Sequence, residues 1–191
     1  MCKADLSRIR CSWCNLKNPV YVAYHDEEWG VPCHEEKKLY EMFLLETFQA
    51  GLSWECILNK RENYRKAYDD FAIDKVCAYD ERKIEELMND AGIVRNRRKI
   101  EASIANSIIY RGICREFGSF DNYLSSFTKG KITYQNDPKI TTSELSDRIS
   151  LDLKKRGMKF TGSVTIYSYL QAIGVINAHA KECFRYSDRE K

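Results

Sequence analysis

Histidine and cysteine residues near both ends of the chain have the spacing of metal ligands. His179 and Cys183 are four positions apart, which places both side chains on one face of a helical turn. His25 and either Cys11 or Cys14 could complete a tetrahedral site of two thiolates and two imidazoles. The His-x-x-x-Cys pair alone is a weak signal, because a helix histidine is more often a hydrogen-bonded structural residue. Four protein ligands would make the metal structural and would tie the N-terminal segment to the C-terminus.

One acidic residue, Glu46, lies within the largely apolar segment 42–48. In a helix it shares a face with the core candidates Leu39 and Phe43. A carboxylate in such a place is costly unless it is paired or hydrogen-bonded. Glu46 therefore either pairs with an arginine or turns towards solvent, or it is a functional carboxylate in a cleft. The pattern alone does not separate these two interpretations.

Aromatic residues accompany both the histidine and the carboxylate. Such residues are more often part of a core than of a pocket, but their large flat rings also bind flat ligands. Their grouping around a single carboxylate favours a pocket wall. The candidates for this wall are Trp13, Tyr21, Tyr24, Trp29 and Trp54.

The segment 81–111 reads as a helix, a tight turn and a second helix, which is a pattern for binding a DNA backbone. The turn and the N-terminus of the second helix can present backbone N–H groups to a phosphate. The basic run from Arg95 to Lys99 adds positive charge, although most basic runs are only solvated helix faces. Gly92 suits the positive φ that ends a helix. The candidate DNA-binding residues are Gly92, Ile93, Arg95, Arg97 and Arg98, with Lys154–Lys159 as a weaker second patch.

Helical periodicity dominates the chain, and the fold class predicted is all-α. The segment 129–142 is polar and contains Asp137-Pro138, so it is predicted to be a loop. Ser53 and Ser143 are predicted helix caps. His179 and Cys183 fall in a short terminal helix or turn. The predicted helices are 36–50, 54–66, 75–79, 81–89, 96–111, 118–127, 144–156 and a last core helix ending by 173.

Length and composition place limits on the kind of protein. A chain of 191 residues suits one domain, predicted over 1–191 with residues 1–10 as a loose tail. No apolar run approaches the roughly 18 residues that span a membrane, and the N-terminus lacks the apolar core of a signal peptide. We therefore expect a cytoplasmic protein whose eight cysteines are reduced or bind metal. The net charge of +3 permits a nucleic-acid partner without requiring one.

Taken together, these motifs resemble the DNA-3-methyladenine glycosylase I family, bacterial enzymes of alkylation repair. The resemblance runs from about residue 11 to 185. Cys14 departs from the family pattern, Arg98 stands where the family usually has a small residue, and 114–142 matches least. The matching segments are Cys11-Ser-Trp13, 19–32, 46–54, 90–97, 153–160 and His179-x-x-x-Cys183.

The resemblance implies a helix-hairpin-helix DNA glycosylase fold, with the hairpin at about 81–111. It also implies one structural Zn²⁺ ion that joins the N- and C-terminal segments. Cys11 is preferred to Cys14 because it matches the family's Cys-x-Trp. The implied ligands are Cys11, His25, His179 and Cys183.

The resemblance further implies a base-excision repair enzyme whose partner is double-stranded DNA containing 3-methyladenine, with 3-methylguanine as a second candidate substrate. The enzyme would flip the damaged nucleotide out of the duplex and hydrolyse its N-glycosidic bond. It would release free 3-methyladenine and leave an abasic site. Glu46 would be the catalytic carboxylate that accepts hydrogen bonds from the exocyclic amine. Trp54 and Tyr24 would stack on the base, and Tyr21, Trp13 and Trp29 would complete the wall.

No lysine is evidently placed as a nucleophile, so a monofunctional hydrolase without lyase activity is expected, acting as a monomer. Asp121 is the first aspartate after Asp90 and falls outside the helix where related glycosylases carry a catalytic aspartate. Two other classes stay open. One is a non-catalytic zinc-containing helix-hairpin-helix DNA-binding protein. The other is a zinc-dependent hydrolase, which four protein ligands would exclude because it needs an open coordination position.

Overall fold

The computed structural model describes residues 7–186, which are mostly helical. Part of the predicted tail lies outside these residues, and its described end is held in place because Arg10 forms an ion pair with Asp26 at 2.6 Å. Within residues 7–186, no helix is both long enough and apolar enough to cross a membrane. The helices are α1 (Pro19–Glu27), α2 (Glu36–Gln49), α3 (Trp54–Leu58), α4 (Arg61–Ala67), α5 (Ile73–Val76), α6 (Glu81–Asn89), α7 (Arg97–Phe117), α8 (Phe120–Thr128), α9 (Glu144–Lys155) and α10 (Ser163–Ala172), with a 3₁₀ turn at Asp69–Phe71.

Helix α2 lies at the centre of the core. Its ten consecutive residues from Leu39 to Phe48 are all buried, and it packs against α3, α7, α8 and α10. Over these ten residues the helix has no solvent face, so Glu41 and Glu46 are both buried, whereas Lys37 and Lys38 in its first turn are exposed. Arg61 and Arg65 neutralise Glu41 through hydrogen bonds of 2.7 and 2.9 Å. Both arginines bind Glu41, and neither of them forms an ion pair with Glu46.

The helix starts follow local capping chemistry. The side chains of Ser53 and Ser143 accept hydrogen bonds from the first turns of α3 and α9, which confirms both predicted caps. Sequence analysis assigned no helix to α1. The start signal was present, because Asn18 caps the helix and Pro19 occupies its first position.

Three helix predictions are wrong in detail, and in one of them the helix expected over 96–111 continues to Phe117 as α7. The helix expected over 54–66 is interrupted at residues 59–60, where Lys60 reaches the carbonyls of Ala91 and Gly92. The interruption allows Arg61 to turn inward to Glu41 instead of facing solvent. The helix expected at 75–79 is α5, and it begins at Ile73.

The all-α prediction needs one addition, a two-stranded parallel sheet of β1 (Thr133–Tyr134) and β2 (Ile176–Asn177). The strands are only two residues long, too short for a sequence pattern to reveal. Thr133 N–H donates to Val175 O, and Gln135 N–H donates to Asn177 O, both at 2.9 Å. The sheet therefore fixes the segment that leads from α10 to His179.

The predicted helix, turn and helix at 81–111 is present as α6, residues 90–96 and α7. The expected positive φ at Gly92 is wrong, since its φ lies outside the left-handed region. Glycine is required there for space. A Cβ atom at this position would lie 2.9 Å from Asp90 Oδ1 and 3.0 Å from Asn63 Cβ.

Candidate functional site

A small cavity of about 160 Å³ lies between α1, α2, α3, α10 and the N-terminal segment. All six residues predicted to form the catalytic carboxylate and the base-gripping wall line it. Three polar residues that sequence analysis did not single out join them. The predicted lining residues are Trp13, Tyr21, Tyr24, Trp29, Glu46 and Trp54, and the others are Gln49, Ser168 and Gln171.

Glu46 is an uncompensated acid in this cavity. Glu46 is 3% exposed, and its Oε2 atom is buried with no hydrogen-bond partner. Burial raises the pKa of Glu46 from 4.5 to about 8, because the charged form loses its hydration. None of the described residues that line the cavity is a lysine or an arginine. The structure therefore supports neither the pairing of Glu46 with an arginine nor its exposure to solvent, and its assignment as a functional carboxylate stays a prediction.

Trp54 supplies a second unsatisfied group. Its Nε1 atom is buried and has no acceptor in the described part of the chain. Its ring centroid lies 5.2 Å from that of Tyr24, at an interplanar angle of 47°. Buried polar atoms are nearly always hydrogen-bonded, so an orphaned donor and an orphaned acceptor in one cavity indicate a polar ligand.

The rings of two tryptophans, Trp13 and Trp29, form another part of the cavity wall. The rings of Trp13 and Trp29 meet edge to face, with centroids 4.7 Å apart. Trp13 also contacts Tyr21 at a centroid distance of 5.4 Å. The cavity is therefore narrow, largely aromatic and suited to a flat heterocycle.

Polar spacing on α10 could have revealed part of the missed lining. The apolar stripe of this helix is buried and includes Ile166 and Leu170. Ser168 and Gln171 are three positions apart and only half-buried, so they form a polar pair beside that stripe. Gln49 follows Glu46 by three residues on α2, and the same spacing could have indicated its position.

Four predicted metal ligands converge beside this cavity. Their donor atoms all lie within 4.8 Å of one another, and all four residues are buried. The structure places Cys11 in the cluster, whereas the Cys14 thiol is directed to the carbonyl of Tyr21 at 3.9 Å. We refer to Cys11, His25, His179 and Cys183 as the clasp, because they join the N-terminal segment, α1 and the C-terminal segment.

The spacing of the clasp fits a tetrahedral metal. Cys11 Sγ lies 3.6 Å from His179 Nδ1, and Cys183 Sγ lies 3.5 Å from His179 Nδ1 and 3.4 Å from His25 Nε2. Zinc–sulfur bonds of about 2.3 Å and zinc–nitrogen bonds of about 2.1 Å at a tetrahedral angle give about 3.5 Å between donors. Three pairs of donors have this separation and all four lie within 4.8 Å of one another, so the two sulfur and two nitrogen atoms could bind a metal ion.

Outer contacts orient both imidazole rings for ligation. His25 Nδ1 donates to Asp26 Oδ1 at 2.8 Å, which leaves Nε2 for the clasp. His179 Nε2 donates to the carbonyl of Trp29 at 3.1 Å, which leaves Nδ1. Burial lowers the pKa of His179 to about 4, so this ring is neutral at pH 7, as a ligand must be.

The Cys11 thiol is protonated in the absence of a metal. Burial raises the pKa of Cys11 to about 12. The backbone N–H of Ala180 approaches the sulfur atom of Cys11 at 3.4 Å, which favours the thiolate form. Metal binding would therefore release protons, and its affinity would rise with pH.

The basic run at 95–99 divides into exposed and engaged residues. Arg95 and Arg98 are exposed, whereas Arg97 forms ion pairs with Glu81 and Glu85 of α6. Ile93 is 3% exposed, and its backbone N–H donates to the carbonyl of Asp90 at 3.4 Å, so this residue is not available to a phosphate. The charge available to a DNA backbone is therefore smaller than the sequence suggests.

Lys99 has a structural role instead of a DNA-binding one. It is buried, and its ammonium group donates to the carbonyls of Phe48 and Ala50 at 2.7 and 2.6 Å. These carbonyls lie at the end of α2, immediately beyond Glu46. Lys99 thus supports the loop that borders the cavity.

The second basic patch is also mixed. Arg156 is bound by Glu116 and Asp152, while Lys154, Lys155 and Lys159 are exposed. The side chain of Asn106 on α7 bonds both backbone groups of Lys159, at 2.8 and 2.9 Å. The patch is thereby fixed relative to the turn between α6 and α7.

Comparison with known proteins identifies close relatives. The family model for methyladenine glycosylases matches residues 13–186. DNA-3-methyladenine glycosylase 1 of Escherichia coli (strain K12) is 43% identical over 183 residues, covering 93% of this chain and 96% of that protein. A crystal structure of 3-methyladenine DNA glycosylase I is 40% identical with a TM-score of 0.89, covering 94% of this chain and 100% of that one. A structure described as the basis of 3-methyladenine recognition by the Staphylococcus aureus enzyme is 39% identical with a TM-score of 0.85, covering 90% and 94%.

Proposed function

The chain belongs to the methyladenine glycosylase family, and from that premise we infer that it excises 3-methyladenine from alkylated DNA. It is a hydrolase that breaks the bond between the base and its deoxyribose, releasing the free base and leaving an abasic site. The relative from E. coli is a DNA-3-methyladenine glycosylase, and the S. aureus relative is described as recognising 3-methyladenine.

The unpaired carboxyl of Glu46 is the observation that carries this proposal. Methylation at ring nitrogen 3 gives the adenine of DNA a fixed positive charge. The described residues that line the aromatic cavity include one buried acid, Glu46, and no cation. Glu46 is therefore the one formal negative charge that this lining offers to the cationic base. Glu46 accepts hydrogen bonds from the exocyclic amine and is ionised when the cationic base is present.

Aromatic side chains supply the rest of the binding energy. Tyr24 and Trp54 stack on the flipped base, and Trp13, Tyr21 and Trp29 close the wall around it. The π-faces of these rings attract a cation more strongly than they attract neutral adenine. A base that pairs poorly because it is methylated is also easier to extrude from the duplex.

Hydrolysis follows from the quality of the leaving group. When the bond from the sugar to ring nitrogen 9 breaks, its electron pair moves to the base, and the cationic 3-methyladenine leaves as a neutral molecule. Water adds to the sugar carbon and loses a proton. None of the described lining residues is a lysine that could form a Schiff base with the sugar. The enzyme is therefore monofunctional and has no lyase activity.

3-Methylguanine is a poorer substrate in this proposal. It carries the same positive charge, but at ring position 6 it has a carbonyl oxygen where adenine has its exocyclic amine. That oxygen repels an ionised Glu46 instead of donating to it. Excision of 3-methylguanine should therefore be detectable but slower than that of 3-methyladenine.

We place the DNA backbone against the turn between α6 and α7, in the manner of a helix-hairpin-helix motif. The N–H groups of Gly92 and Ile93 in this turn donate to Asp90, so the positive charge of Arg95 and Arg98 beside the turn carries the proposed contact. Arg97 holds α6 against α7 through its ion pairs and so shapes the motif. In this proposal the protein is a single domain that acts as a monomer on double-stranded DNA in the cytoplasm.

The clasp is proposed to hold one structural Zn²⁺ ion. Cys11, His25, His179 and Cys183 supply four ligands, which leaves no open coordination position. A closed site cannot activate water, so the zinc-dependent hydrolase alternative is disfavoured. The ion would supply folding energy and no step of the reaction.

Release of free base from methylated DNA is the experiment that tests the function. Wild-type protein should liberate 3-methyladenine, and Glu46→Gln should do so about tenfold to a hundredfold more slowly, because a charge-assisted hydrogen bond becomes a neutral one. Glu62→Gln, at a carboxylate that is 73% exposed on α4, is the matched control and should match wild type.

Two results would contradict the proposal. No release by wild type would favour the non-catalytic DNA-binding alternative. Release by Glu46→Gln at the wild-type rate would remove the role assigned to Glu46.

A further inference from the structure

We propose that the clasp positions the tryptophan wall of the base pocket as well as joining the ends of the chain. Loss of the bound metal should then weaken base binding before it disrupts the helical core. The inference rests on the proposed function, because its ligand is 3-methyladenine.

The first link runs from His179 to Trp29. The Nε2–H of His179 donates to the carbonyl oxygen of Trp29 at 3.1 Å, and the two rings meet edge to face with centroids 4.6 Å apart. At Gly30, a Cβ atom would lie only 3.0 Å from His179 Nε2. A metal held by His179 would therefore fix a ring that touches both the side chain and the backbone of a pocket residue.

The second link runs from Cys11 and His25 to Trp13. Trp13 follows Cys11 by two residues in a segment without regular helix or strand. Its ring centroid lies 5.2 Å from that of His25 and 4.7 Å from that of Trp29. Two clasp residues and the neighbouring tryptophan therefore set the position of the Trp13 ring.

The rest of the pocket has anchors of its own. Glu46 lies on the buried helix α2, and Trp54 begins the capped helix α3. Gly30 N–H donates to the carbonyl of Gln171 at 2.9 Å, which ties the backbone after Trp29 to α10. Displacement on metal loss is therefore expected in the rings of Trp13 and Trp29, and not in the helices.

Without a metal, the clasp residues hold one another weakly. Their remaining contacts are sulfur–nitrogen approaches of 3.4–3.6 Å and one hydrogen bond from the backbone N–H of Cys11 to His25 Nε2 at 3.3 Å, and thiols are poor hydrogen-bond partners. His179 then lacks a strong bond on its Nδ1 side, and the ring that supports Trp29 can turn. The tryptophan rings would then no longer be held in the geometry that binds the base, and the affinity for the base would fall.

The test compares metal-loaded protein with protein stripped by a chelator, using measured metal content as the criterion. Free 3-methyladenine is titrated by calorimetry, far-ultraviolet circular dichroism reports helix content, and the near-ultraviolet spectrum reports ring packing. We expect the affinity to fall about tenfold or more on stripping, about the worth of one base–aromatic contact. Helix content should stay unchanged, the near-ultraviolet spectrum should change, and added Zn²⁺ should restore the affinity.

A pair of matched variants locates the effect. Trp29→Leu removes a ring that contacts the clasp residue His179, whereas Trp54→Leu removes a pocket ring that contacts Tyr24. Stripping the metal should change the affinity of Trp29→Leu much less than that of wild type, because the supported ring is already absent. In Trp54→Leu the loss on stripping should keep its full size.

Three results would overturn the inference: unchanged affinity in the stripped wild type, equal losses in the two variants, or loss of helix content on stripping. Absence of 3-methyladenine binding by the metal-loaded wild type would instead contradict the proposed function. The two failures are therefore distinguishable.

Discussion

At the scale of single residues, Glu46 is the acid to which we assign the proposed preference of the pocket for a cation. It is 3% exposed and its Oε2 atom has no partner, whereas the other acid of α2 that lies in the core, Glu41, is bound by two arginines. The contrast separates a paired acid from an unpaired one on the same helix. A buried acid left unpaired weakens the fold and is retained where a ligand uses it.

Glu46 should make the stability of the protein depend on pH. Its pKa is raised from 4.5 in the unfolded chain to about 8 in the fold, so the folded state binds the proton more tightly. The stability it contributes is fully present below pH 4.5 and is lost as the pH rises towards 8. The slope is at most about 1.4 kcal/mol per pH unit.

Urea unfolding at several values between pH 5 and 8 measures this dependence. Glu46→Gln should lose the part of the slope that Glu46 causes and should gain stability relative to wild type at the higher pH. Parallel curves for the two proteins would show that Glu46 is ionised in the empty pocket.

At the scale of elements, α7 places two neighbouring basic residues in different environments. Lys99 points inward to the carbonyls that end α2, and Arg98 points outward beside the turn from α6. One side chain supports the loop at the pocket, and the other is available to DNA. Helical geometry separates them, because consecutive residues are about 100° apart around the axis.

Lys99→Met should destabilise the fold. The substitution leaves the carbonyls of Phe48 and Ala50 without their donor, at a cost of about 1–3 kcal/mol in the free energy of unfolding. Denaturant unfolding measures this cost. An unchanged midpoint would mean that water replaces the ammonium group.

Arg98→Met is the matched substitution on the same helix. We expect a change in stability within about 0.5 kcal/mol, with weaker binding to undamaged duplex DNA. The slope of log affinity against log salt should decrease by about 1, because one phosphate contact is lost. An unchanged slope would place the DNA elsewhere on the surface.

At the scale of the whole molecule, the clasp connects segments that are far apart in sequence. Cys11 and Cys183 meet although 172 positions separate them, and β1 pairs with the segment that leads to His179. A cross-link of this kind restricts the unfolded chain more than a local one does. The rings of Trp13 and Trp29 contact both the clasp and the cavity.

Metal removal should lower the thermal stability. Cys11→Ser should lose most of its bound metal and unfold several degrees earlier than wild type, with each kcal/mol worth about 2–4 °C in a chain of this size. Cys14→Ser is the control, because its thiol lies outside the clasp, and it should keep both metal content and midpoint. Metal loss in Cys14→Ser alone would reverse the assignment of the ligands.

Much of this protein could be read from its residues. Caps such as Ser53 and Ser143, the stripe of α2 and the turn before α7 are local features, and local features are visible in sequence. The six pocket residues were named because aromatic residues and a lone acid in an apolar run are unusual together. The resemblance to a known family supplied the four-ligand set, including the preference for Cys11 over Cys14.

The sequence by itself determined the types of residue, the helices and the segments in which the chemistry lies. Only the tertiary structure decided which charges are available. Arg97 and Lys99 look like Arg95 and Arg98 in sequence, yet their partners come from α6 and from the end of α2. Burial and pairing depend on contacts between distant segments, and these contacts also set the state of Glu46 and the shared wall of pocket and clasp.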